Sequence, residues 1–493
     1  QGAVNAGTYA ITPGGLTSGN YDLSFANGAL TVNRKVVSMS ATKAYDGTTD
    51  LAGYVTLDTG IAGKTLTYTG ATAHSANSVA YPGMTATSNY INAITLADGT
   101  DLATNYQLPT LNSTHARATI TPADFTQISG TRQYDATTTF NANDLRLIGV
   151  NGETFNLLGS ATLSNKNVQT NQPLASTAGL SLSSVAYNYN TPNLATMASS
   201  VSVTPRTVTL EASKIYDGNT DMTDKVVIGT GAIGEVPSYS GAVAADANVA
   251  TADNRLVAIA LEDNGSVLAS NFQLPTLDAT NAAVTIRPAV LRVEGQRVYD
   301  GTTIMAGSNL LAQGVNGEYF QVDGAGAAGN LSSKDVQVRW GMASLDGLSI
   351  GAPINGAVAS NYVPLDQAAI TAVTVTPKPI TVTGASGVDK TYDGTNLIPA
   401  GTGYTIDNGG LVSGDTVSAS GTVEYDSADA GARVVTQGSL TLQNYAIHWT
   451  DGSGTIYPAP LTVTANGARK SYDGFAYNGG NGVSYPGFVN GED

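Results

Sequence analysis

Lys43-Ala44-Tyr45-Asp46-Gly47 decides how this chain is read, because the chain repeats it. The same pattern of basic residue, any residue, Tyr-Asp-Gly returns as Lys214-Ile215-Tyr216-Asp217-Gly218, Arg297-Val298-Tyr299-Asp300-Gly301, Lys390-Thr391-Tyr392-Asp393-Gly394 and Lys470-Ser471-Tyr472-Asp473-Gly474. A sixth copy, Arg132-Gln133-Tyr134-Asp135-Ala136, carries Ala in the Gly place. The tyrosines lie 89, 82, 83, 93 and 80 residues apart, and a fixed period of this size means a tandem array. An enzyme site is not copied six times along a chain, whereas spacers and multivalent binders are built that way.

A second mark closes each period. Asn followed by an aromatic recurs at Asn20-Tyr21, Asn105-Tyr106, Asn188-Tyr189, Asn271-Phe272, Asn361-Tyr362 and Asn444-Tyr445. An alternating stretch then ends at Pro122, Pro205, Pro288, Pro377 or Pro458; in the first instance Arg34 stands in the proline place. These junctions set the expected modules at 34–121, 122–204, 205–287, 288–376 and 377–457. Residues 1–33 read as the closing part of one further module and 458–493 as the opening part of another.

Period-two stretches such as Thr207-Val208-Thr209-Leu210-Glu211-Ala212 and Leu461-Thr462-Val463-Thr464, separated by Asn-Gly and Asp-Gly pairs, are strand and turn grammar. The expected fold is mainly β: a linear array of small modules, each an immunoglobulin-like sandwich or a β-grasp-like sheet. The modules alternate as well. Asn105-Tyr106-Gln107-Leu108-Pro109 nearly repeats two modules on as Asn271-Phe272-Gln273-Leu274-Pro275, and Gly149-Val150-Asn151-Gly152-Glu153 returns as Gly314-Val315-Asn316-Gly317-Glu318. No linker separates one module from the next, and proline stiffens each junction, so the array is expected to be a semi-rigid rod on the order of 200 Å long.

Composition narrows function. The chain has 493 residues, a formal net charge of −16 and no cysteine, which removes disulfides and thiolate metal sites. No basic stripe suits nucleic acid, and no apolar run approaches a membrane span. The only histidines, His74, His115 and His448, stand in unrelated contexts, and no catalytic motif surrounds them. No enzymatic activity is therefore expected. Because the chain opens on Gln1 and stops inside a repeat, it reads as a piece of something longer. The alternative is that residues 1–33 and 458–493 of neighbouring molecules complete one another head to tail.

The Tyr-Asp-Gly motif has a structural and a functional reading. In the structural one the basic stem lies over the tyrosine ring and the Asp opens an Asx-turn. Asp135-Ala136 then argues against a positive φ at the third position and for a type I turn. In the functional one the tyrosine stacks on a sugar and the Asp accepts its hydroxyls. The structural reading is preferred, and burial of the tyrosines would remove the sugar platform. Phe272 shows that the hydroxyl of the Asn-aromatic motif is dispensable, so its Asn is expected to cap a loop. Arg132 and Arg297 exclude Lys–Asn isopeptide bonds as a general device. No cofactor is expected; calcium is the one alternative, at Asp98-Gly99-Thr100-Asp101 or Glu262-Asp263-Asn264-Gly265, neither of which follows the twelve-residue loop pattern.

Together these marks resemble the YDG and MBG repeat modules of filamentous-haemagglutinin-like bacterial adhesins exported by two-partner secretion, exopolysaccharide-binding biofilm adhesins included. The resemblance is carried by the Tyr-Asp-Gly copies, by Ala6-Gly7-Thr8-Tyr9 through Asn20-Tyr21 to Leu30-Thr31-Val32, by Leu411-Val412-Ser413-Gly414-Asp415-Thr416-Val417, and by Gly487-Phe488-Val489-Asn490-Gly491-Glu492. It implies an extracellular stalk at the bacterial surface or in the biofilm matrix, with an outer-membrane secretion partner. The stalk would project an adhesive tip or tether cells. The alternative is a multivalent carbohydrate-binding array. Polysaccharide, or neighbouring copies of the stalk, would be its partners.

Overall fold

A computed structural model describes residues 2–324, 329–399 and 401–493. It divides into two compact units, one of residues 1–211, 227–242 and 258–277, the other of 212–226, 243–257 and 278–493. Among the described residues there are strands and short 3-10 turns but no α-helix, so the chain is mainly β.

In the first unit, strand Ser38–Ala44 shows why the pattern folds. Its burial alternates strictly, with Met39, Ala41 and Lys43 inward. It pairs antiparallel with Val55–Asp58 and parallel with Ala116–Thr121, the strand that closes the same period. Gln127–Gln133 repeats the arrangement between antiparallel Leu145–Ile148 and parallel Ser199–Thr204. Thr67–Ala73 and Ile91–Ala97 form a separate antiparallel sheet. Near the start, Gly7–Ile11 and Gly28–Val32 make a hairpin.

The second unit uses the same plan. Leu291–Val298 runs parallel to Ala369–Thr376 over eight residue pairs; in the next period the opening part is split, Lys378–Gly384 running parallel to Tyr445–Thr450 and Lys390–Thr391 to the closing strand Gly452–Tyr457. Thr464–Ala465 pairs with Val483–Ser484. Each named strand pairs only with strands of its own period. A first strand beside a parallel closing strand recurs through the array of small β modules.

The parallel pair places the motifs. Two parallel strands finish at the same end of a module, so the Tyr-Asp-Gly turn after the first strand lies beside the proline after the last one. The backbone closes this contact in every complete period: Tyr45 N–H donates to Thr121 O at 2.8 Å, Tyr134 to Thr204 at 2.9 Å, Tyr216 to Arg287 at 2.8 Å, Tyr299 to Thr376 at 2.9 Å and Tyr392 to Tyr457 at 2.8 Å. The motif therefore stands where the next module begins.

Candidate functional site: a clasp between successive repeats

The turn is built around a buried cation. The Lys43 ammonium donates to Asp46 Oδ1 at 2.8 Å, Thr48 O at 2.9 Å and Asp50 O at 2.7 Å. Lys214 and Lys390 make the same set, to Asp217, Asn219 and Asp221 and to Asp393, Thr395 and Leu397. Lys470 bonds Asp473 and Phe475 O. Arg132 and Arg297 reach Asp135 and Asp300, but each leaves a buried Nε–H without a partner. The cation therefore points into the turn and not over the tyrosine ring; the cation–ring contacts of Arg132 and Lys390 are with Phe140 and Tyr425. The Asp carboxylate accepts from the backbone N–H two residues on, as at Thr48 and Thr395 (both 2.9 Å). Its own burial raises the Asp46 pKa, but the Lys43 and Thr48 hydrogen bonds outweigh this and hold it below the usual carboxylate range.

The expected type I turn is corrected. The third motif residue is left-handed in all six copies, with φ from 75° to 80° at the glycines and 68° at Ala136. Ala136 is a strained substitution, and its presence is no sign that glycine is optional. Ala136→Gly is expected to raise the stability of that period by about 1 kcal/mol, read as a higher denaturant midpoint.

The tyrosine rings leave their own module. Tyr45, Tyr134, Tyr216 and Tyr299 are all buried, Tyr134 at 0% exposure, whereas Tyr472 is 98% exposed. Each buried hydroxyl donates to a carboxylate of the following repeat. The pairs are Tyr45 with Glu153 at 2.7 Å, Tyr134 with Glu235, Tyr216 with Glu318 at 2.7 Å, and Tyr299 with Asp415 at 2.7 Å. Tyr392 meets Glu492 in the same way. Each of these contacts lies within one compact unit.

The Asn-aromatic motif grips from the other side. The Asn188 amide accepts from Ser78 N–H at 2.9 Å and donates to Asn77 Oδ1 at 3.2 Å, both in the preceding repeat. Asn271 does the same to Val168 and Asn167, Asn361 to Val249 and Asn248, Asn444 to Val336 and Asp335, and Asn105 to Ala6 and Asn5. The capped loop thus belongs to the neighbouring repeat and not to the module that carries the Asn. Asn20 makes no such contact among the described hydrogen bonds. The aromatic stands edge-on to the motif tyrosine: Tyr45 and Tyr189 rings are 5.5 Å apart, Tyr134 and Phe272 5.3 Å, Tyr216 and Tyr362 5.5 Å, and Tyr299 and Tyr445 5.6 Å. Where this aromatic is tyrosine, its hydroxyl shares the same carboxylate, as Tyr189 with Glu153 and Tyr362 with Glu318. Where Phe272 has no hydroxyl, the Lys166 ammonium supplies the second donor to Glu235.

The acids Glu153, Glu235, Glu318, Asp415 and Glu492 were missed as site residues. The legible signal was the recurring Gly before the acid, about 100 to 116 residues beyond the tyrosine. Burial and acceptance by Glu153 push the Tyr45 hydroxyl up to about 12, and burial and Glu318 do the same to Tyr216. A group favoured in its protonated form stabilises fully below its unfolded pKa and loses that contribution as pH rises towards its folded one. Stability is therefore expected to fall as pH rises between about 10 and 12. Alkaline unfolding followed by circular dichroism checks this, with Tyr45→Phe and Tyr216→Phe flattening the slope.

The remaining candidate residues make local contacts. Asp98 caps Ala103 N–H, Asp101 accepts from Tyr106, Glu262 from Ser240 and Asp263 from Ala269. His74 stacks on Tyr90 and His115 bonds Asn112, while His448 lies on a strand.

Residues 116–197 and 376–451 match the YDG domain, and residues 1–31 match the MBG domain of YGX type. The chain carries YDG- and MBG-type modules. The YDG matches span the second and fifth complete periods, so the clasp is a contact between modules of this type and their neighbours. No curated protein matches the chain.

Proposed function

We propose that these YDG and MBG modules form an extracellular stalk of a large bacterial surface adhesin, projecting an adhesive tip or tethering cells in a biofilm. In this reading the chain has no catalytic role and no cofactor, and it reaches the surface through an outer-membrane secretion partner. The supporting observation is that the tyrosine rings of the first four Tyr-Asp-Gly copies are buried, with their hydroxyls bonded to carboxylates of the adjoining repeat, and so offer no stacking platform to a ligand. A repeat whose signature holds its neighbour serves to transmit position along the array. Small-angle scattering from the whole chain should give the profile of an elongated, stiff particle. A compact or freely jointed profile would remove the proposal.

One observation favours carbohydrate binding as a second role. Trp340 is 57% exposed at the end of edge strand Gln337–Trp340, next to Arg339, which is held at φ 54° and bonds Glu294 at 3.2 Å. Quenching of Trp340 fluorescence by exopolysaccharide, lost in Trp340→Ala with folding intact, is the expected result. No binding to a glycan array would dismiss this role.

A further inference from the structure

We infer that the clasps are of two alternating kinds, and that this makes the outgoing face of each module selective for the module that follows. The inference rests on the clasp geometry and not on the adhesin reading. In the first kind, joining 34–121 to 122–204 and 205–287 to 288–376, the carboxylate is held by two tyrosine hydroxyls, Tyr45 with Tyr189 and Tyr216 with Tyr362. A loop Asn of the incoming module reaches back to the Tyr-Asp-Gly turn: Asn151 to Asp46 O, and Asn316 to Asp217 O at 2.7 Å. That reach needs glycine below it. A Cβ on Gly218 would lie 2.3 Å from the Asn316 amide nitrogen, and one on Gly47 3.1 Å from that of Asn151.

In the second kind, joining 122–204 to 205–287 and 288–376 to 377–457, the outgoing module adds a lysine. Lys166 pairs with Glu235, and Lys334 with Asp415 at 2.9 Å. Two residues before the acid, where the first kind has its Asn, the incoming loops carry Ile233 and Ser413. Ala136, whose methyl could not sit under such an Asn, belongs to an outgoing face of this kind. In place of Lys166, immediately before the clasped Asn, the first kind has Ala76 before Asn77.

Mismatching the faces has a defined consequence. The Glu235 side chain is only 12% exposed, and its incoming module offers Phe272 where others have a tyrosine hydroxyl. Joined to a face without lysine, this buried carboxylate would keep a single hydroxyl partner. An under-partnered buried charge is costly, so such a junction should open.

The test is a pair of deletions in the full chain. Deleting 122–204 sets Tyr45 and Ala76 against Glu235 and Phe272, a mismatch. Deleting 122–287 sets them against Asn316, Glu318 and Tyr362, a match of the first kind. Limited proteolysis at the new junction is expected to be roughly tenfold or more faster in the single deletion than in the double one. Ala76→Lys in the single deletion should restore most of the protection, because it returns an ammonium to Glu235. Equal resistance of the two deletions, or no protection by Ala76→Lys while the other modules stay folded, would overturn the inference.

Discussion

Lys43→Met should destabilise its module by about 3 kcal/mol, whereas Lys43→Arg should cost only about 1 kcal/mol. Methionine matches the lysine stem in length, so little volume is lost. What disappears is the ammonium that binds Asp46 Oδ1, Thr48 O and Asp50 O in a site where the lysine side chain is 1% exposed. The two carbonyls lose the ammonium that donates to them, and the turn loses the charge that closes it. Arginine keeps the charge, as Arg132 and Arg297 do, but adds a buried Nε–H with no acceptor. Hydrogen exchange of the Met39–Ala44 strand amides reads the difference directly, because opening of one repeat need not unfold the others. Unchanged protection in Lys43→Met would show that the turn is held by its backbone alone.

Glu318→Ala should loosen one clasp by about 2–4 kcal/mol without unfolding either module. The carboxylate accepts from Tyr216 and Tyr362, both at 2.7 Å, and both rings are buried, so its removal strands two hydroxyls away from water. The readout is the Val249 amide, which donates to Asn361 at 2.8 Å and is protected only while the clasp is closed. Adding Tyr216→Phe and Tyr362→Phe to Glu318→Ala should recover part of the loss, because donors and acceptor go together and what is given up is the Tyr362 oxygen that accepts from Val315 N–H at 3.0 Å. If the triple variant exchanges as fast as Glu318→Ala, the clasp depends on the charge and not on satisfied hydroxyls.

Much of the site was visible as recurrence and invisible as geometry. The spacing of Lys43, Tyr45 and Asp46 shows that all three matter in every period, and a strand of period two puts Lys43 and Tyr45 on one face. It does not show that the cation turns back to Asp46 while the hydroxyl goes forward to Glu153, more than a hundred residues away. Asn188 was legible as a cap, but its loop, Asn77-Ser78, lies in another repeat. Ala136 conceals the left-handed turn in the sequence. A single residue tolerated in a strained conformation resembles, in sequence, a residue with no conformational demand.

By itself the sequence determined the period, the β character, and the alternation between Gly149-Val150-Asn151-Gly152-Glu153 and the loops that lack its Asn, because strand periodicity and turn chemistry are local properties. Only the tertiary structure decided that the first and last strands of a module run parallel. That choice brings Tyr45 beside Thr121 and presents its hydroxyl to the next repeat. Parallel or antiparallel pairing leaves the same alternation along each strand, since side chains face the same way in either case. The direction of pairing is settled by which ends can be connected and what each end then buries, and no single stretch of residues encodes it.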